Sequence, residues 1–314
     1  MNSSIETLFT GLRHPNRAVK YILSGARQTV QNAYFRLKYG DGIDVTDRDW
    51  DNLILLDACR YDYFKEENHI EGDLEPVVSK GSRSWEFMMK NFEGNDLSDT
   101  VYVTANPFAD QLSDDIFYTV EPVFHDWYDD AGTVRPEKIV EAARSAQELY
   151  PQKRLIIHFM QPHDPYLGNT GAELRDRFNL HGWNKYHGHN NKEHSQSGNS
   201  VWDKVKTGEI SHETLRTAYR ENLNLVLEHA DTLVTELDGR TVITADHGEL
   251  LGDQWIGPQY GHPGGVYTED LCIVPWLVIE SETRRVVKSE DPIGFDRLDE
   301  TTRKDRLRDL GYIT

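Results

Sequence analysis

Cysteine is nearly absent from this chain of 314 residues: only Cys59 and Cys272 occur. Both stand in apolar, strand-like settings, so they read as buried free thiols rather than a disulfide framework. Long apolar runs are missing as well. No stretch of roughly 18 consecutive apolar residues occurs, which excludes a membrane-spanning helix. The opening MNSSIETLF lacks a basic stretch followed by an apolar core, so no secretory signal is evident and the expectation is a cytoplasmic protein. Positive charge is scarce. With 53 acids against 34 bases the formal charge is −19, which argues against nonspecific nucleic-acid binding. An acidic, Asp- and Arg-rich surface suits a salt-adapted cytoplasm; an ordinary acidic enzyme is the plainer alternative. No internal repeat is visible.

Against these absences, residues 241–253, TVITADHGELLGD, stand out. Thr241–Ala245 is an apolar, β-branched run of strand length. It stops at Asp246-His247-Gly248-Glu249, which sets a carboxylate and an imidazole at the strand's carboxyl end. Open α/β sheets hold their ligands outside those ends. A hard oxygen donor beside a nitrogen donor suits a divalent metal. A solvated turn would use the same residue types, so three further segments decide the reading.

In NLILLDACRYD, Leu53–Leu56 reads as a buried parallel strand ended by Asp57. Arg60, three residues on, can present its planar fork to a tetrahedral oxyanion, or pair with Asp62 on the surface. In VVSKGSRSWEFMMKN, Gly81 permits a tight turn, and Trp85, Phe87, Met88 and Met89 suggest a helix with a buried face. Ser82 and Ser84 lie at its start, where a hydroxyl can cap the helix or serve as a nucleophile. In RLIIHFMQPHDPYLG, Leu155–Phe159 is a third apolar strand, with His163 in the loop beyond. A similar loop, YGHPGG, places His262 before the strand Ile273–Ile279. Each histidine can bind substrate, protonate a leaving group or take a metal.

Taken in order, these segments resemble the sulfatase branch of the alkaline phosphatase superfamily: arylsulfatases, phosphonate monoester hydrolases and lipoteichoic-acid-synthase-type phosphotransferases. The resemblance covers roughly residues 50–280. It implies an α/β fold, an alkaline-phosphatase-like three-layer sandwich with a mostly parallel central sheet. It also implies that Asp57, Asp246, His247 and the Ser82 oxygen hold one divalent ion (Mn, Ca, Mg or Zn). Ser82 then matches the nucleophile, because the helix runs on as EFMM, and His163 and His262 match the substrate-binding and leaving-group histidines. Arg60 matches a charge-stabilising arginine. If His163 and His262 lie beside an acid and each other, a second metal is the better reading.

Two positions depart from the family pattern. Ala58 follows Asp57 where sulfatases pair two acids. Ser79-Lys80-Gly81-Ser82-Arg83 stands where they carry a residue oxidised to formylglycine. The expected order of nucleophiles is therefore Ser82, then Ser84, then a modified Ser79, and phosphoryl chemistry fits better than sulfuryl. The implied function is metal-dependent hydrolysis or transfer of phosphate or sulfate esters through a covalent serine intermediate. Its substrate is a small-molecule, glycan or lipid-linked ester, with no nucleic-acid partner. The alternative is a catalytically silent scaffold in a glycan or lipid pathway.

Residues 1–45 form a basic helical arm. Residues 1–40 hold six bases against Glu6, and two amphipathic stretches break at His14-Pro15. The favoured reading packs the second stretch (Val19, Ile22, Ala26, Val30, Ala33, Leu37) on the main domain; peripheral membrane contact is the sharper one. Residues 46–285 form the catalytic domain. Within it, 168–210 is a variable cap carrying His181, His187, His189 and His194 as solvated side chains. A long amphipathic helix is expected over Glu213–Leu237 and a tail helix within 286–314.

Overall fold

The computed structural model describes residues 15–126, 131–180, 200–254, 258–297, 300–302 and 304, with the arm's side chains described from residue 25. The first amphipathic stretch, the four cap histidines and the end of the tail lie outside the described residues. In chain order the elements are α1 (Pro15–Tyr39), β1 (Asn52–Asp57), α2 (Tyr61–Glu67), β2 (Asp73–Val78), α3 (Ser84–Asn91), β3 (Leu97–Thr104) and β4 (Phe117–Pro122). Then come α4 (Pro136–Leu149), β5 (Arg154–Pro162), α5 (Asn169–Phe178), α6 (Val201–Lys206), α7 (His212–Glu236) and β6 (Thr241–Ala245). The last are β7 (Leu250–Leu251), β8 (Tyr260–Gly261), α8 (Glu269–Cys272) and β9 (Ile273–Ile279).

Seven strands form one sheet in the order β2-β9-β6-β1-β5-β3-β4. All neighbours run parallel except β9, which is antiparallel to both β2 and β6. Six strands therefore deliver their carboxyl ends to one edge. The register sets Leu56 opposite Ala245, so Asp57 and Asp246 leave adjacent strands at one level.

Every residue of β1 and of β6 is buried. Side chains alternate across a strand, so both faces of the sheet are covered and the architecture is three-layered. Helices α4 and α7 pack against β5. Helix α7 begins where Ser211 Oγ accepts from Thr214 N–H at 3.0 Å, an N-cap, and it buries Leu215, Leu223, Val226 and Leu233. Helix α3 carries Phe87 and Met88 into the core; Phe92 lies edge-on to Tyr102 and Phe117, with ring centroids 5.5 and 5.4 Å apart. Both cysteines are buried free thiols.

Residues 280–297 are a non-helical strap crossing the opposite edge, in which Lys288 N–H donates to Gln152 O at 2.9 Å and Ile293 N–H to Tyr118 O at 2.8 Å; of the tail helix, residues 300–302 and 304 are described and helical. One segment differs from expectation. The arm packs on the domain, but with its polar face. Asn32 donates to Gly265 O at 2.7 Å and accepts from Tyr267 N–H at 2.9 Å, Gln28 donates to Gly265 O at 3.1 Å, and Phe35 is buried beside Tyr267 and Leu271. The apolar stripe expected to face the core is outside, with Val30 69% and Leu37 88% exposed. The reason is chemical. The receiving surface is the loop 264–269, whose free carbonyls need donors, which amides supply and aliphatic side chains cannot.

Candidate active site

Two strand ends and one helix start build the first half of the site. Asp57, Asp246 and His247 are all fully buried. His247 Nε2 lies 3.5 Å from Asp57 Oδ1 and 3.5 Å from Asp246 Oδ2. His247 Nδ1 lies 2.8 Å from Gly248 O, so it is the protonated nitrogen and Nε2 turns a lone pair toward the carboxylates. Asp246 Oδ1 is held by the backbone N–H groups of Ala58 at 3.1 Å and His247 at 2.8 Å. Burial opposes the Asp246 charge, yet His247 and His158 hold its carboxyl well below the usual range. Ala58 takes φ +62°, a strained value for a residue with a side chain, and this aims its N–H at Asp246.

Ser84, the first residue of α3, completes the group. Its Oγ donates to Asp57 Oδ2 at 3.1 Å and stands 3.3 Å from His247 Nε2. Asp57 Oδ2 also accepts from Asn106 Nδ2 at 2.9 Å. His158, at the centre of β5, contributes Nε2 at 3.7 Å from Asp246 Oδ2, its Nδ1 lying 2.8 Å from the Tyr102 hydroxyl. One ligand atom each from Asp57, His158 and Asp246 lie within 4.8 Å of one another. Two carboxylates and imidazole lone pairs converging in a buried pocket fit a divalent cation, whose charge offsets their mutual repulsion.

A second group adjoins the first. His163, Glu249 and His262 likewise offer ligand atoms within 4.8 Å of one another. His262 Nδ1 is 3.1 Å from Glu249 Oε1. The His262 ring centroid lies 4.9 Å from that of His163 and 4.7 Å from that of His247. Burial raises the Glu249 carboxyl to about 7 against the pull of His163 and His247, and burial with the neighbouring imidazoles pushes His262 well below its usual value. Burial lowers His163, but Asp164, Asp57 and Glu249 outweigh it and leave it near 9. So His163 and His262 lie beside an acid and each other.

The structure thus brings together Asp57, Asp246, His247, His163 and His262. It does not bring Ser82 or Arg60 to them. The Ser82 hydroxyl donates to Glu86 Oε2 at 3.0 Å and reaches Pro263 O at 3.1 Å; one turn of helix separates it from a carboxylate that claims it. The Ser79 hydroxyl donates to the backbone carbonyl of Asp246 and accepts from Gly81 N–H, bracing the loop. Arg60 is buried and divided among Asp62 at 2.6 Å, Asp253 at 2.8 Å and Asp270 at 3.2 Å. It is a structural tie, because those three acids satisfy the fork that an ester would need.

Sequence reasoning passed over His158, Asn106 and Glu249 as site residues. His158 left one signal, an ionisable residue inside the apolar run LIIHFM. Glu249 stood in the Asp-His-Gly-Glu stretch, and Gly248 between them has its own reason: a Cβ there would meet Asp270 O at 2.0 Å.

No protein-family model matches the sequence, and no curated protein does. Solved structures of similar fold include the soluble domain of lipooligosaccharide phosphoethanolamine transferase A from Neisseria meningitidis. It is 11% identical, has a TM-score of 0.45, and the match covers 74% of this chain and 76% of that one. Another is the periplasmic domain of EptC from Escherichia coli in complex with Zn: 13% identity, TM-score 0.43, 77% and 76% covered. A third is a candidate sulfatase from Bacteroides thetaiotaomicron: 12% identity, TM-score 0.36, 84% and 71% covered. These neighbours belong to the sulfatase-like branch of the alkaline phosphatase superfamily. The expectation of a cytoplasmic protein is corrected here, since the EptC domain among them is periplasmic. Among the described residues, no helix is long and apolar enough to cross a membrane.

Proposed function

We propose that this protein transfers or hydrolyses phosphate or sulfate esters, with Ser84 as the attacking group. The observation that carries the proposal is the Ser84 hydroxyl, placed against both Asp57 and His247 at the first residue of a helix. Asp57, Asp246, His247 and His158 are the residues that would hold one divalent cation; His163, Glu249 and His262 would hold a second. A bound cation supplies charge neutralisation for the ester oxygens and lowers the pKa of the serine hydroxyl.

The chain's own residues do the rest. Asp57, which accepts the Ser84 hydroxyl's hydrogen bond, orients Oγ and takes its proton as Oγ forms a bond to phosphorus or sulfur; the bond to the leaving oxygen breaks and that oxygen takes a proton from water. The amino end of α3 favours the negative charge that spreads over the nonbridging oxygens. Arg83 takes the role expected of Arg60. It precedes Ser84, packs against Gly264, and its Nε is buried with no hydrogen-bond partner among the described residues. Water or an acceptor alcohol then releases Ser84 from the covalent ester.

Quenching with a slow phosphate or phosphonate ester, followed by intact-mass and peptide analysis, tests the assignment. The adduct should map to Ser84. Ser84→Ala should lose it and slow turnover by roughly a thousandfold or more, whereas Ser82→Ala should keep both. An adduct on Ser82, or a two-hydrogen mass loss at Ser79 in the resting protein, would overturn it.

A further inference from the structure

We propose that α1 rests flat on an anionic lipid surface, with Val30, Tyr34 and Leu37 turned into the headgroup layer. The side chains themselves motivate this. A surface helix normally buries its apolar stripe and shows water its polar face. Here the polar face is spent on the protein's own loop, through Gln28, Gln31 and Asn32, and the apolar face is turned out. Val30, Tyr34 and Leu37 are 69, 64 and 88% exposed. Ala26 and Ala33, also exposed, join them into one stripe at helical spacing.

Charge selects the occupant. By helical periodicity Arg27 and Lys38 run along one margin of the stripe and Arg36 along the other; Arg27 is exposed, while Lys38 also pairs with Glu269 at 2.9 Å and Arg36 with Asp41 at 3.6 Å. Residues 1–40 carry six bases and one acid in a chain whose formal charge is −19. A second copy would bring a like-charged arm against this one. An anionic bilayer offers the opposite sign to the arm and apolar depth to the stripe, the combination that holds an interfacial helix in place. The helix would lie on the membrane, since it does not meet the requirement for crossing it.

The contact does not depend on the proposed chemistry, so it is tested without substrate. The full chain should float with vesicles of phosphatidylcholine and phosphatidylglycerol, not with phosphatidylcholine alone, and added salt should weaken the binding. Exchanging Val30, Tyr34 and Leu37 together for Ser should reduce binding roughly tenfold or more. The far-ultraviolet spectrum and melting temperature should stay unchanged, because these side chains are exposed. Failure of the parent protein to bind anionic vesicles, or equal binding by the triple variant, overturns the proposal. So does a dimer, seen by sedimentation without vesicle binding, that the triple variant loses; the face would then belong to a second copy.

Discussion

Arg60 is surrounded by more negative charge than it can neutralise. Asp62, Asp253 and Asp270 lie within 3.2 Å of its guanidinium, and its ring neighbour Tyr63 stacks 4.9 Å away. Removing it would leave partly buried carboxylates facing one another. Arg60→Ala should therefore cost about 1–3 kcal/mol of stability, read from denaturant melts, while turnover of the folded fraction stays within a few-fold. An unchanged melt with turnover lost by orders of magnitude would return Arg60 to the ester. The two serines show the same dependence on surroundings. They are two residues apart in one stretch, yet Ser82 bonds to Glu86 and Ser84 to Asp57. What separates them is the start of α3 at residue 84 after extended Arg83, at φ −161° and ψ 159°.

One carboxylate ties helix α3 to the chain on either side of it. Glu86 accepts from Ser82 N–H at 3.1 Å, from Lys90 one turn on at 2.6 Å, and from the Tyr267 hydroxyl. Burial alone would raise its pKa from 4.5; the bonds from Lys90, Tyr267 and Ser82 outweigh this and hold it at about 2. A depressed carboxyl stabilises the fold above its unfolded value and loses that contribution as pH falls through the folded one. Stability should therefore decline between pH 4.5 and about 2, and Glu86→Gln should flatten that part of the curve. An identical acid slope in the variant would show that the pair with Lys90 is idle. Helix α1 makes a related point. Its apolar period was legible, but the side it presents to the domain was set by the loop it met, through Asn32 and the backbone of residues 265 and 267.

Across the whole molecule, the sheet gathers Asp57, Asp246 and Glu249 in one buried region with His158, His163, His247 and His262. Carboxylates so placed repel, and a cation that binds only the folded chain must stabilise it. Added Zn or Mn should raise the melting temperature and a chelator lower it. At a free concentration of one hundred times its dissociation constant, each ion contributes about 2.7 kcal/mol. Metal analysis should find two ions per chain and, in His262→Ala, one. Calorimetry insensitive to both metal and chelator would sink the reading of these clusters as cation sites.

What the sequence by itself determined is local: apolar runs of strand length, and the acid or Asp-His pair that ends each. Because most side chains of a buried parallel strand pack into the core, chemistry collects mainly at its carboxyl end, and Asp57 and Asp246 are legible there without coordinates. The long helix ending in Glu236 was legible for a similar reason, since a period of 3.6 over seven turns has no other reading. Only the tertiary structure decided the rest. His158 looks like core because its partner Asp246 is 88 positions away on a strand two places along the sheet. The pairing of Ser84 with Asp57 and of Ser82 with Glu86, the diversion of Arg60 to three acids and the outward turn of α1 all depend on chain segments the local pattern does not reveal. Those are contests between partners for one donor or acceptor, and such contests are settled by which groups the fold brings within about 3 Å.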